Sequence, residues 1–262
     1  MFLWGVKLNL MNVPKDAIRI QNFYFSFESG PLFSGLNLEI SRAARVLLVG
    51  ANGVGKSTLL RILAGLHMVP PESVRIFGSS PFHQMEASQE TRWIGGELGL
   101  SLDIKVRELF TPAPSGTEFA RRESDLLELL GISKDWRMHQ VSEGQRRRVQ
   151  LFLGLRRPAK VLLLDEVTAH LDVNTRSDLL EWLRRESRDH QVTILYATHI
   201  FDGLDARGGR ELWPTQLVWL GFQGAHRSVS ESELGHQASS VGSLGVLCEN
   251  WIRGSQRRYP EA

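Results

Sequence analysis

One nine-residue segment constrains this chain more than any other: Gly50-Ala-Asn-Gly-Val-Gly-Lys-Ser-Thr58. It fits G-x-x-x-x-G-K-[ST], in which each residue type has a physical reason. Glycines let the backbone wrap tightly and turn several N–H groups toward one anion. A helix that starts where the loop ends adds free N–H groups and the positive end of its dipole. Lys56 then reaches the outer phosphates of a nucleoside triphosphate, and the Ser57 hydroxyl holds Mg²⁺. Gly50, Asn52, Gly53, Gly55 and Thr58 complete the cradle. The flanks agree. Val46-Leu47-Leu48-Val49 is a continuous apolar run, as a strand covered on both faces requires. Leu59, Leu60, Ile62 and Leu63 follow at helical spacing, and Gly65 is a natural stop.

A second apolar run, Val161 to Leu164, ends in Asp165-Glu166. In open α/β sheets ligands bind beyond the carboxyl ends of the strands. An acid there can orient Mg²⁺, and a second acid beside it can polarise an attacking water. Further strands read at Ile18 to Phe27, Leu36 to Ile40, Val74 to Phe77, Val192 to Tyr196 and Leu217 to Leu220. The stretch from about Leu100 to Leu155 reads mostly helical, with Pro112 and Pro114 near its start. Leu179, Leu180 and Leu183 mark another helix. Alternating strands and helices predict an α/β fold with a mostly parallel sheet and a helical insertion. Beyond about Gly224 the chain turns Ser-, Gly- and His-rich, and reads as a loosely attached tail.

Charge narrows the function classes. With 31 basic and 29 acidic side chains the net charge is only +2, so no direct nucleic-acid partner is expected. The arginine runs at Arg146-Arg147-Arg148 and Arg184-Arg185 read as solvated helix faces. The lone Cys248 excludes an intramolecular disulfide and fits a reducing compartment, cytoplasmic or nuclear. The apolar stretch Met1 to Val13 is broken by Lys7, Asn9 and Asn12, and no run reaches the roughly 20 residues of a membrane span. A membrane role would therefore need a separate spanning subunit.

Taken in order, these segments resemble the ATPase module of ATP-binding cassette (ABC) proteins. Val141-Ser-Glu-Gly-Gln-Arg-Arg-Arg-Val149 is similar to that family's L-S-G-G-Q signature followed by a basic helix. His199, in Ala197-Thr198-His199, matches its switch histidine, and Leu171-Asp172 matches its D-loop. Phe27 falls where the family stacks an aromatic on adenine. The resemblance implies a P-loop ATPase core with an antiparallel β subdomain. It places an ABC domain over 16–224, a helical subdomain at about 98–156 and a polar tail over 225–262. It implies ATP and Mg²⁺ as ligands, Glu166 and His199 as catalytic residues, and Ser57, Asp165 and Glu97 around the metal. It also implies a head-to-tail homodimer, or a heterodimer with another ABC subunit, in which Ser142, Gly144 and Gln145 meet the partner's γ-phosphate and Asp172 communicates across the interface. Two plainer readings stand beside these: Ser142 suits a helix N-cap, and Phe27 suits a strand core.

Three departures matter. Glu97 occupies the region where the family has a metal-sensing glutamine, Val167 replaces a proline after the acidic pair, and Glu143 replaces a signature glycine. Asp165-Glu-Val-Thr-Ala-His-Leu-Asp172 and Tyr196-Ala-Thr-His-Ile-Phe-Asp-Gly203 are similar to the stand-alone eukaryotic subfamily I members. These comprise fungal proteins associated with a transcription-regulatory and deadenylase complex, and soluble plant relatives. The expected function is an ATP-driven switch in a protein assembly. The alternatives are the ATPase subunit of a transporter with a separate membrane protein, and a nucleotide-binding module with little turnover.

Overall fold

The computed structural model describes residues 16–96, 98–99, 102–205 and 211–258. The first half of the chain holds β1 (Asp16–Phe27), β2 (Gly30–Ser41), β3 (Arg45–Val49), α1 (Lys56–Leu63), β4 (Val74–Ile76), α2 (Met85–Glu90) and β5 (Thr91–Ile94). Then come α3 (Glu118–Leu129), α4 (Glu143–Leu155), β6 (Val161–Asp165), α5 (Val173–His190), β7 (Thr193–Ala197) and β8 (Gln216–Leu220). The chain closes on β9 (His226–Ser230), α6 (Glu231–Val241) and α7 (Leu244–Arg258).

A small antiparallel sheet has the order β2-β1-β4. Its inward set is Ile18, Ile20 and Phe23 on β1 and Leu36, Leu38 and Ile40 on β2. The change from even to odd positions on β1 follows a register slip between Ile20 and Phe23, beside Asn22 at φ +42°. The extra residue of such a bulge turns the next side chain to the other face.

The larger sheet has the order β5-β6-β7-β3-β8-β9. All its pairings are parallel except β8 with β9. Every residue of β3, β6 and β7 is buried, which is why these strands read as unbroken apolar runs. Against one face pack α1, through Leu59, Leu60, Ile62 and Leu63, and the small sheet. The other face carries α3, α4, α5 and the C-terminal helices. Full burial of each such side chain contributes about 1.5–3 kcal/mol. The mostly parallel α/β core, antiparallel subdomain and inserted helices are thus as expected.

Three regions differ from the sequence reading. The helical middle is shorter than read: residues 102–117 carry only a 3-10 turn at Val106–Glu108, and α3 and α4 are separate. Pro112 and Pro114 supply no N–H to a helix, and the loop instead anchors to a buried ion pair. Glu123 on α3 pairs with Arg156 after α4; Arg156 also donates to the Thr111 carbonyl at 2.6 Å, and Glu123 accepts from the Ala113 N–H at 2.9 Å. The strand β5, unread in the sequence, borders the large sheet beside β6.

The third difference is the supposed loose tail, which is built into the core. β9 pairs with β8 along its length, from Gln216–Ser230 to Leu220–His226. Val229, Leu234, Ala238, Leu244, Leu247 and Cys248 are buried. Without this segment β8 would present an unpaired edge. Burial among these groups pushes the Cys248 thiol up to about 12.

Candidate active site

β3 delivers the chain to Gly50 at the carboxyl end of the large sheet. A β-carbon at Gly50 would stand 2.3 Å from the Leu220 carbonyl oxygen, so only glycine lets the loop leave the sheet here. Gly53 and Gly55 have φ of +81° and +99°, and Gly55 caps α1 from the left-handed region. Asn52 and Gly53 are exposed on the loop, and Lys56, Ser57 and Thr58 form the first turn of α1. The Lys56 ammonium curls back over the loop, donating to the carbonyls of Gly50 at 2.8 Å and Ala51 at 3.0 Å. Burial lowers its pKa, and the nearby Glu166 and Asp165 carboxylates oppose that shift. An incoming phosphate would act in the same sense as those carboxylates.

The ends of β6 and β7 meet this loop. Ser57 donates its hydroxyl to Asp165 at 3.0 Å, so the two expected metal-holding oxygens are neighbours. Burial raises the Asp165 pKa; the Ser57 hydrogen bond pulls it down, and Glu166 raises it further. The Glu166 Oε1 lies 2.9 Å from His199 Nδ1, whose ring projects into solvent. Glu166 Oε2 is buried and has no hydrogen-bond partner among the described residues. An orphaned carboxylate oxygen beside a phosphate loop suits a water or a hydrated ion. No cage of three or more carboxylate, imidazole or thiol groups occurs among the described residues. The Ser57 and Asp165 oxygens are the kind of ligand set Mg²⁺ commonly takes from a protein, with substrate phosphates and water supplying the rest. Glu97, the third expected metal-holding residue, lies outside the described residues.

Ser142, Gly144 and Gln145 open α4. Ser142 is its N-cap and shares a reciprocal capping box with Gln145: Gln145 N donates to Ser142 Oγ at 3.2 Å, and Ser142 N donates to Gln145 Oε1 at 2.9 Å. Asp172 likewise caps α5, accepting from the Thr175 N–H at 2.9 Å and hydroxyl at 2.8 Å, which hold its pKa below the usual carboxylate range. The two starts are strapped together. Arg148 on α4 donates to Asp172 at 2.6 Å, and Glu143 pairs with His170 at 3.1 Å. Among the described residues no hydrogen bond joins Ser142, Gly144 or Gln145 to the Gly50–Thr58 loop of the same chain. Phe27 ends β1 and is 46% exposed, edge-on to Phe25 at 5.1 Å and to His67 at 6.3 Å. It is therefore a surface aromatic rather than a core residue.

Residues 33–169 match the ABC transporter family. The chain belongs to that family. It is 41% identical over 254 residues to ABC transporter I family member 21 of Arabidopsis thaliana, covering 92% of this chain and 87% of the relative. It is 39% identical over 228 residues to CCR4-associated factor 16 of Saccharomyces cerevisiae, covering 79% and 76%. Among solved structures, the ATP binding subunit of an ABC transporter superposes with a TM-score of 0.72 at 22% identity, covering 90% of this chain and 99% of that one. A bacterial ABC transporter cassette solved as a dimer gives 0.65 at 21% identity, covering 82% and 98%. These two likenesses speak for the fold. The subfamily likeness read from the sequence agrees with the two named relatives. No helix among the described residues is long and apolar enough to cross a membrane.

In this ABC chain the arginine run after the signature is not a solvated face. Arg146 donates to the Met138 carbonyl at 3.3 Å, Arg147 to that of Gly96 at 2.8 Å, and Arg148 to Asp172. Gln150, one turn on, donates to Gly95 at 3.1 Å and Gly96 at 3.3 Å. Arg147 and Gln150 thus bind the backbone just before Glu97 to the signature helix. Sequence reading missed both. The available signal was spacing: positions 147 and 150 share one helix face.

Proposed function

We propose that this chain binds and hydrolyses ATP, with Mg²⁺, at a site completed by a second cassette, and that it acts as a switch within a protein assembly. The observation that carries this reading is the convergence of Lys56, Ser57, Asp165, Glu166 and His199 at one end of the sheet. Ser57 and Asp165 would hold Mg²⁺, which when bound neutralises phosphate charge and polarises the γ-phosphoryl group. The chain's own residues do the rest. The loop amides and Lys56 bind and orient the phosphates. Glu166 takes the proton of the attacking water, and the imidazole of His199 aligns that carboxylate and reaches the γ-phosphate. Phe27, exposed at the end of β1, stacks on the base.

The capped start of α4 leaves Gly144 and the Ser142 hydroxyl at a helix N-terminus, a setting that favours an anion. The dimeric bacterial cassette of like fold supports placing that anion on a second cassette. The likeness to a CCR4-associated factor supports the assembly role. The competing reading is the ATPase subunit of a transporter, which the family name itself favours. Affinity purification from native cells separates the two: a multi-span membrane partner supports transport.

Replacing Glu166 by Gln tests the mechanism. Nucleotide binding should persist while turnover falls about 10²–10⁴-fold, the usual worth of a general base. Unchanged turnover removes Glu166 from that role. Ser142→Arg should abolish ATP-dependent dimerisation, and a normal dimer would refute the composite site.

A further inference from the structure

Glu166 has φ +52°, in the left-handed region that side chains with a β-carbon seldom occupy. Such a backbone persists only where its surroundings over-determine it. One constraint is direct: Glu166 N donates to the Ala197 carbonyl at 2.9 Å, tying the end of β6 to the end of β7. A second lies beneath. Thr168, two residues after Glu166, and Tyr196, three before His199, are both 1% exposed. The Thr168 hydroxyl and the Tyr196 phenol are 2.6 Å apart. Thr198, the residue before His199, is buried as well, 2% exposed. Its hydroxyl accepts from the Ile200 N–H at 3.1 Å. The Tyr196 ring is fixed edge-on against Trp213 at 5.9 Å, and Trp213 is anchored by its own donation to the Leu180 carbonyl at 2.9 Å.

A buried pair of hydroxyls therefore links the segment that carries Glu166 to the strand that leads to His199. We infer that Thr168 and Tyr196 are positioning residues: their hydrogen bond holds the strained Glu166 turn and the His199 loop in register, so that carboxylate and imidazole meet. The inference rests on the reading of Glu166 as the base. Burial raises the Tyr196 pKa, so the phenol stays neutral and the link does not titrate at working pH. Stability alone gives little reason for the pair, because two facing hydroxyls replaced by apolar groups of the same shape are close to neutral. Positional error at a reacting group is different: about 1 Å can cost about a hundredfold in rate.

The experiment compares Thr168→Val, Tyr196→Phe, their double variant and Thr168→Ser with the parent and with Glu166→Gln. Single-turnover hydrolysis, nucleotide affinity and urea stability are measured for each. The expected result is a kcat loss of about tenfold or more in both single variants and in the double, with affinity held within about twofold. Stability should recover in the double variant, whereas kcat should not. Thr168→Ser, which keeps the hydroxyl, should restore kcat. Parent-like kcat in the single variants overturns the inference, as does a serine variant as slow as the valine one. So does a kcat that recovers together with stability in the double variant. If Glu166→Gln itself turns over normally, the reading of Glu166 fails instead, which distinguishes the two.

Discussion

The pair Glu123–Arg156 gives the sharpest stability prediction. Its side chains are only 8% and 7% exposed. Arg156 lies over the rings of Phe110 at 4.7 Å and Phe119 at 5.2 Å, so Arg156→Met keeps most of the packing while removing the charge. Glu123 is then a buried carboxylate left with the Ala113 N–H as its remaining partner from this cluster. Stranding one member of a buried pair costs about 3–5 kcal/mol. Against a typical total of about 5–15 kcal/mol, that is a large share of the fold's stability. Adding Glu123→Gln keeps an acceptor for Ala113 and removes the stranded charge, so the double variant should recover at least half the loss. The control is Arg137→Met, which breaks the exposed Arg137–Asp103 pair and should cost under about 1 kcal/mol. Urea unfolding followed by tryptophan fluorescence reads all three, with Trp136 and Trp182 packed against the same core. If Arg156→Met costs no more than Arg137→Met, the burial argument is wrong.

Four further outcomes are expected. Lys56→Ala removes charge-assisted hydrogen bonds to phosphate worth about 1.5–3 kcal/mol, so affinity for a fluorescent ATP analogue should fall about tenfold to a hundredfold; an unchanged affinity would detach Lys56 from the phosphates. Cys248, with its thiol raised from 9.0 to about 12, should resist Ellman's reagent at pH 8 until denaturant is added. Its contribution to stability is complete below pH 9.0 and is lost as pH rises toward about 12, so Cys248→Ala should flatten the alkaline decline of urea stability in that window. Truncation after Ala225 should bare the β8 edge and the sites that Leu234, Leu244 and Leu247 fill, giving an aggregating chain; a monodisperse truncated protein with the parent's urea midpoint would contradict this.

What could be read from the sequence was local. The run from Val46 to Leu63 declares itself because strand, loop and helix are each specified by adjacent residues. The capping role of Ser142 is equally local, and a short polar residue before a helical run suffices to suggest it. What could not be read depends on distant partners. β5 is four residues with an arginine in the middle, and only its pairing with β6 makes it a strand. The C-terminal helices place few apolar residues among serines and glycines, so their periodicity is weak although Leu234 and Leu244 are fully buried. Nothing in Asp165-Glu166-Val167-Thr168 announces a left-handed glutamate, because that conformation is imposed by Ala197 and Tyr196 on the next strand. The arginines after the signature were misread because charge alone does not say which carbonyls lie within reach.

The position of β3 sets an order of assembly. Val46 to Val49 lie between β7 and β8, so the strand bearing the phosphate loop has no sheet partner until residues 193–220 exist. Gly50 itself is fitted against Leu220. On a ribosome the loop emerges early and waits while about 170 more residues follow, several seconds or more at ordinary rates of synthesis. Closing so long a contour is slow, and the waiting strand is apolar from end to end. An apolar strand left unpaired for that interval is the kind of segment that invites aggregation before the sheet closes.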